Sequence, residues 1–192
     1  MGVIIICCFV AGTQVLTEGG YKNIEDIKLG EKLWAKNTET GEQDWKPVTK
    51  VFIEPDRGIF EVKLMAKDGF EQKIQATDDH PFFVVGKGWK QTVELKEGDL
   101  IETDGHGSMK VISLLDENRT DLTYNFTVAD FHTYYVTERN VLVHNCGRGK
   151  QVGNMINTNG STNASDIVAK AKDVGFTPTQ TENGPLKLVD EN

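Results

Sequence analysis

The strongest constraint on the fold is an internal repeat. Gly20 to Leu33 lies over Gly88 to Ile101 at a constant offset of 68 residues. Gly20/Gly88, Lys22/Lys90, Lys28/Lys96 and Gly30/Gly98 are identical. Tyr21/Trp89, Asn23/Gln91, Asp26/Glu94, Ile27/Leu95, Glu31/Asp99 and Leu33/Ile101 are close substitutions. Two generic strand–loop–strand connectors could share glycines, but the matches here keep a single register. The repeat implies two related β subdomains, each feeding a strand through the same turn.

The rest of residues 8 to 145 agrees with that reading. Apolar or alternating runs recur at Cys8–Thr17, Lys32–Ala35, Val48–Ile53, Ile59–Leu64, Gln72–Ala76, Phe82–Val85, Asp99–Glu102, Met109–Leu114, Tyr124–Val128, Thr133–Val136 and Val141–Val143. Turn signals separate them, including Glu18-Gly19-Gly20, Glu54-Pro55-Asp56-Arg57-Gly58 and the hairpin-type Lys67-Asp68-Gly69. Many short strands this closely spaced make an all-β domain. Helical structure is predicted only as short turns near Asn23–Leu29 and Thr92–Lys96.

Both ends differ from this pattern. Gly2-Val3-Ile4-Ile5-Ile6-Cys7 is apolar but lacks a basic region and a small-residue cleavage site, so it reads as a strand entering the domain. After Cys146 the chain passes through Gly147-Arg148-Gly149-Lys150 into a stretch rich in Asn, Gly, Ser and Thr. A helix is predicted from Ser165 to Gly175 and a strand at Pro185–Val189. This small α/β flank is a marginal core, expected to be the start of a longer, truncated domain.

Composition narrows the function classes. The net charge is −8, which argues against a nucleic-acid-binding face. No apolar run approaches the roughly 20 residues needed to span a bilayer, so no membrane partner is expected. Three cysteines, Cys7, Cys8 and Cys146, form no disulfide framework. The four histidines, His80, His106, His132 and His144, have no zinc-ligand spacing, and neither metal nor cofactor is expected. His106, between glycines, is given no role.

The chemistry gathers at the two ends of the β domain. In His144-Asn145-Cys146, the Asn side-chain nitrogen can close a five-membered ring on its own carbonyl and cut the chain. A neighbouring imidazole can protonate the departing amine, and Cys146 can accept an acyl group through sulfur. Cys8 opens Cys-Phe-Val-Ala-Gly-Thr, and its thiol can attack the carbonyl of Cys7. Taken alone, Cys8 reads as a buried core residue, and Cys7 is a rival nucleophile by chemistry. In Thr77-Asp78-Asp79-His80, the His could protonate the amine leaving from the first bond and the Thr hydroxyl could fix that amide; alone, the segment is a polar turn. His132, placed on a strand in Asp130-Phe131-His132-Thr133, could act as acid or base at the second junction or be a surface residue. If Cys8 and Cys146 approach each other, a disulfide between them would silence the chemistry.

These segments, in this order, resemble the Hedgehog/intein (Hint) family, and most closely the bacterial intein-like and pre-toxin Hint domains. The resemblance covers Cys8 to Cys146. It rests on Cys-Phe-Val-Ala-Gly-Thr, Thr77-x-x-His80, the segment with His132 and the terminal Val-His-Asn-Cys. It implies an all-β horseshoe with pseudo-two-fold symmetry. Residues 1–7 would be an N-terminal flank, 8–145 the Hint domain, and 146–192 a C-terminal flank beginning a toxin or effector. It implies Cys8 as acyl-shift nucleophile, Thr77 and His80 as its activators, His132 and His144 as assistants to Asn145, and Cys146 as acceptor. Asp130 belongs to the same segment as a secondary position.

One position departs from the family pattern: Asn125 stands where many inteins carry an Asp seven residues before the His matching His132. An amide cannot be an anionic base, so looser coordination and cleavage products beside splicing are expected. The domain leaves no room for an inserted endonuclease. The implied activity is autocatalytic splicing: single-turnover chemistry by a monomer on its own flanks, not a turnover enzyme. Two alternatives stand beside it. One is cleavage after Asn145 that releases a downstream effector without ligation; the other is a silent β-rich binding or structural domain. A Hedgehog-like sterol transfer does not need a terminal His-Asn-Cys. The sequence carries no cellular address; processing would be cytoplasmic and the host protein a secreted or cell-surface bacterial one.

Overall fold

The computed structural model describes residues 7–145 throughout and, beyond them, the backbone of strands at 176–179 and 187–190. Residues 7–145 belong to one compact unit and the two distal strands to another. Twelve strands build the first unit: β1 (Phe9–Val10), β2 (Gln14–Thr17), β3 (Gly20–Asn23), β4 (Lys32–Lys36), β5 (Gln43–Met65), β6 (Glu71–Ala76), β7 (Pro81–Val84), β8 (Gly88–Gln91), β9 (Leu100–Glu102), β10 (Ser108–Val128), β11 (Thr133–Val136) and β12 (Val141–His144). They form one sheet with the path β11-β12-β7-β9-β10-β1-β6-β5-β4-β2-β3, and β8 pairs with β7. The path folds back on itself where β11 meets β2 at Val136 and Val15. Among the described residues no helix is long and apolar enough to cross a membrane.

The repeat is present in three dimensions. Each half runs from a short strand (β3, β8) into a single 3-10 turn, Ile24–Asp26 or Thr92–Glu94, and then into β4 or β9. Gly30 and Gly98 both take positive φ, +85° and +90°. Each donates its N–H to a long strand at 2.8 Å, Gly30 to Val48 and Gly98 to Val111. Only glycine enters that region without a steric penalty, which is why both copies keep it. The carboxylates of Glu31 and Asp99 accept the N–H groups of Lys28 and Lys96 at 3.0 and 2.9 Å. Equivalent apolar residues of the two halves, Ile27/Leu95 and Leu33/Ile101, are buried in one shared core with Phe9, Phe82, Phe126 and Tyr134. Each fully buried aliphatic or aromatic side chain there contributes about 1.5–3 kcal/mol.

The strand boundaries differ from the sequence expectation in three places. Cys8–Thr17 is not one strand: Ala11-Gly12 turns the chain, with Gly12 at φ +82°, and leaves β1 two residues long. Glu54–Gly58 is not a turn that ends a strand. β5 runs through it, paired with β10, and the predicted Val48–Ile53 and Ile59–Leu64 are one element. Glu54 pairs with Thr123 and Arg57 with Asp121, so Pro55 and Asp56 occupy a bulge; Asp56 has φ +55°. A proline is tolerated where the ladder skips, because no N–H is needed there. No residue from Ile53 to Gly58 is buried, so this part of the strand carries no alternating pattern to read. Met109–Leu114 and Tyr124–Val128 are likewise one strand, β10.

In the second unit, β13 (Phe176–Thr179) pairs antiparallel with β14 (Lys187–Asp190), close to the strand expected at Pro185–Val189. The predicted helix at Ser165–Gly175, the predicted N-terminal strand and Cys146 lie outside the described residues.

Candidate functional site

Cys8 enters directly before β1. Phe9 pairs with Tyr124 of β10 on one side and Ala76 of β6 on the other. This wedge places the Cys7–Cys8 peptide between the end of β6 and the C-terminal part of β10, near Tyr124 and Asn125, and both residues are buried. The Cys8 N–H donates to Thr77 Oγ1 at 2.9 Å. The Thr77 N–H donates to the Cys8 carbonyl, also at 2.9 Å. The Thr77 hydroxyl donates in turn to Asp79 Oδ1 (2.8 Å), and Arg57 Nη2 holds that carboxylate at 3.1 Å and Asp78 at 3.3 Å. Asp79 accepts the hydroxyl hydrogen bond, so a lone pair of Thr77 stays aimed at the Cys7–Cys8 amide.

The carbonyl of the same peptide is also held. Asn125 Nδ2 donates to the Cys7 carbonyl at 2.5 Å. Asn125 Oδ1 accepts from the Phe126 N–H at 2.7 Å and from the Tyr134 hydroxyl at 2.9 Å.

Burial dominates the titration of this junction. The Cys8 thiol is pushed up to about 12 by desolvation, against a smaller pull down from the Thr123 hydroxyl and the Arg57 charge. His80 is fully buried, with its ring 3.9 Å from Phe9 and 5.7 Å from Phe82 between centroids. Desolvation, then the nearby His144, press its pKa down to about 3; the Cys7 backbone acts the other way without a hydrogen bond to either ring nitrogen. At neutral pH the resting pair is therefore a thiol beside a neutral imidazole.

The second junction lies at the end of β12. Val143 pairs with Phe82 and His144 with Thr133, which ties this end to the strand that follows His80. His144 Nδ1 contacts the Asn145 carbonyl, and its ring packs edge-on to Trp89 at 4.9 Å. Burial lowers the His144 pKa, the Asn145 carbonyl raises it, and His132 lowers it again. The Asn145 N–H donates to the His132 carbonyl at 2.9 Å. The Asn145 side-chain amide has two orientations. With Oδ1 on the Val128 N–H (3.3 Å) and Nδ2 on the His132 carbonyl, both ends are satisfied. The reverse leaves Nδ2 3.5 Å from His132 Nδ1 and sets the oxygen against acceptors. The first holds, because a backbone N–H and a backbone carbonyl have fixed polarity.

His132 is not on a strand. It is an exposed residue in the turn before β11, with φ +56°, two residues after Asp130 at φ +61°. Two left-handed non-glycine residues this close mark stored backbone strain beside the second junction. The His132 and His144 rings are 6.4 Å apart.

The expected residues thus fall into two groups. Cys8, Thr77, His80 and Asn125 surround the first peptide; His132, His144 and Asn145 surround the second. β10 joins them: Asn125 touches Cys7 and Val128 touches Asn145, three residues or about 10 Å apart along one strand. The Asp130 side chain points elsewhere, to Lys46 at 3.2 Å. Cys8 is a thiol and Cys7 is in a disulfide, so the Cys8–Cys146 disulfide that proximity would have allowed is not formed.

Sequence reading missed Arg57, Thr123 and Tyr134 and gave Asp79 no separate role. Asp79 stands inside the quoted Thr-Asp-Asp-His. Tyr134 lies in an apolar run with no mark separating it from its neighbour Tyr135. Arg57 sat in what read as a loop, and only strand pairing brings it to Asp79.

No curated protein matches the chain. Among solved structures, a bacterial intein-like domain from Clostridium thermocellum is 35% identical, with TM-score 0.64, covering 72% of this chain and 98% of that one. A DnaB intein from Synechocystis sp. PCC 6803 is 20% identical, with TM-score 0.63 over 73% of this chain and 99% of its own. The gp41-1 intein is 23% identical, with TM-score 0.59 over 72% and 98%. The latter two share the fold. The pretoxin HINT domain family matches residues 14–146, which spans the repeat, both long strands and the His-Asn-Cys end. With that match over most of its length, the chain belongs to the pretoxin HINT domain family.

Proposed function

We propose that the domain splices itself out of its chain. The Cys8 thiol attacks the Cys7 carbonyl carbon, forming a thioester and breaking the Cys7–Cys8 peptide bond. In this reading His80, neutral at rest and packed on Phe9 beside the peptide, carries the thiol proton to the departing Cys8 amine. The Cys146 thiol then takes the acyl chain from Cys8. Asn145 Nδ2 attacks its own carbonyl carbon, which releases the Cys146 amine and leaves a succinimide. A sulfur-to-nitrogen shift ends in a Cys7–Cys146 peptide bond. The contact of His144 Nδ1 with the Asn145 carbonyl supports a role for His144 in stabilising the oxyanion of the cyclisation.

The observation that carries this reading is the scissile amide itself. A buried Cys8 N–H seated on a Thr hydroxyl, with that hydroxyl fixed by Asp79 and Arg57, has no need of such a relay as packing. Its partner junction is served by the same strand. Membership of a self-processing family and 35% identity to a bacterial intein-like domain support it.

A second reading is favoured by the Cys8 thiol, whose pKa of about 12 slows its attack. Asn145 cyclisation needs no thiol, so cleavage after Asn145 could outrun ligation and release the downstream segment as an effector. An intact-mass time course in reducing buffer separates the two. Splicing yields a ligated Cys7–Cys146 product in the wild type and none in Cys8→Ala. Under the second reading Cys8→Ala leaves the products unchanged. Only intact chain in the wild type, unchanged by Asn145→Ala, would leave a silent domain.

A further inference from the structure

Asn125 fills a place where the implied chemistry usually has a carboxylate. We propose that the Asn125 side-chain amide is the oxyanion donor of the first acyl shift, and that the Tyr134 hydroxyl is the positioning group that fixes its orientation. The inference rests on the acyl-shift reading above.

The polarity of this amide follows from its neighbours. The Phe126 N–H can only donate, so the atom 2.7 Å from it is Oδ1. Nδ2 must then be the atom 2.5 Å from the Cys7 carbonyl oxygen. That oxygen becomes the oxyanion when the Cys8 sulfur attacks the carbonyl carbon. Tyr134 is fully buried, and burial raises its pKa well above the ordinary 10, so it keeps its proton and donates to Oδ1 at 2.9 Å. Two donors on the oxygen leave Nδ2 no alternative direction. Both side chains are buried, Asn125 at 1% exposure, so water does not compete for the bond. A donor held this way meets the developing charge without reorganisation. An ionised carboxylate at residue 125 would repel the same oxygen; a neutral amide donates at every pH. The departure at Asn125 thus removes an acid–base group and supplies a permanent donor.

The balance of the step is unchanged. Sulfur bonds to the Cys7 carbonyl carbon, and the electron pair of the C=O collects on the oxygen beside Nδ2. It returns as the C–N bond breaks, and the thiol proton ends on the Cys8 amine.

The test isolates the first step in an Asn145→Ala, Cys146→Ala background. Thioester is trapped with hydroxylamine in reducing buffer and followed by intact mass. Asn125→Leu is expected to slow trapping about a hundredfold, as removal of one oxyanion donor does. In a Cys8→Ala background the same substitution is expected to change cleavage after Asn145 less than threefold, which also reports folding. Asn125→Asp is expected to be slow at pH 8 and to recover relative to wild type as pH falls and the carboxyl gains its proton. Tyr134→Phe is expected to slow trapping about tenfold, yet to add nothing in combination with Asn125→Leu, as coupled groups do. The proposal is overturned if Asn125→Leu traps at the wild-type rate. Equal losses at both junctions would make Asn125 structural and overturn it too. Additive losses for Tyr134→Phe and Asn125→Leu would remove the positioning role. Failure of the wild-type background to trap at all, with cleavage after Asn145 intact, would sink the acyl-shift reading and this inference with it.

Discussion

The two junctions of the domain share burial and hydrogen bonding but differ in what stands beside them. The first is buried and wired on every polar atom: the Cys8 N–H on Thr77, the Cys7 oxygen on Asn125, and Asp79 and Arg57 behind the hydroxyl. The second lies at the end of a strand; Asn145 is buried too, but beside it stands an exposed His132 that, like Asp130, is in left-handed conformation. At the first, fixed dipoles surround a peptide whose neighbouring Cys8 is a protonated thiol and whose neighbouring His80 is a neutral imidazole. At the second, two imidazoles, His132 and His144, and a strained turn adjoin the residue proposed to close a ring. The contrast teaches that, in the proposed reactions, the first junction would offer fixed donors to a developing charge, while the second would offer a preset backbone conformation.

That contrast can be broken experimentally. The largest effect is expected from Thr77→Val, which keeps the shape and strands the Cys8 N–H without an acceptor. Thioester formation should fall about a hundredfold while cleavage after Asn145 stays within about threefold. Equal losses at both junctions, read by intact mass, would show that the relay braces the whole fold rather than one peptide.

An intermediate effect concerns pH and His80. In the unfolded chain His80 takes its proton near the ordinary 6.5, whereas in the fold burial delays this to about 3. Between those values the unfolded state binds more protons, so stability is intact above 6.5 and is lost as pH falls toward 3. His80→Leu should therefore flatten the fall of Tm between pH 6.5 and 4. Some slope should persist, because His144 is depressed in the same direction. An unchanged slope would place the buried proton-avoiding group elsewhere.

The smallest effect is expected from Asp130→Asn. The side chain is exposed and pairs only with Lys46 among the described contacts, and Asn tolerates the left-handed φ. Stability should change by less than about 0.5 kcal/mol and cleavage after Asn145 by less than about twofold. A large loss would give Asp130 a part in the strained turn that its geometry does not indicate.

Much of the site was legible because its chemistry is local in sequence. His144-Asn145, Thr77-x-x-His80 and Cys8 each announce themselves by residue type and by position at the ends of a β domain. The repeat was equally legible, since both halves need a glycine with positive φ at the same turn and apolar residues at the same core positions. The helix-poor all-β class followed from the density of short runs.

Other features depended on pairing between distant strands. Nothing around Glu54–Gly58 distinguishes a loop from a doubly exposed strand, so Arg57 had no visible route to Asp79. Asn125 was legible only as an amide that cannot be a base. Its orientation is set by Phe126 beside it and Tyr134 on the next strand, and its target is a carbonyl over a hundred residues away. Residue types and their order determined which reactions this protein has available. Tertiary structure decided which peptide each group faces and which protons it can hold, because burial and hydrogen-bond polarity exist only after the strands have paired.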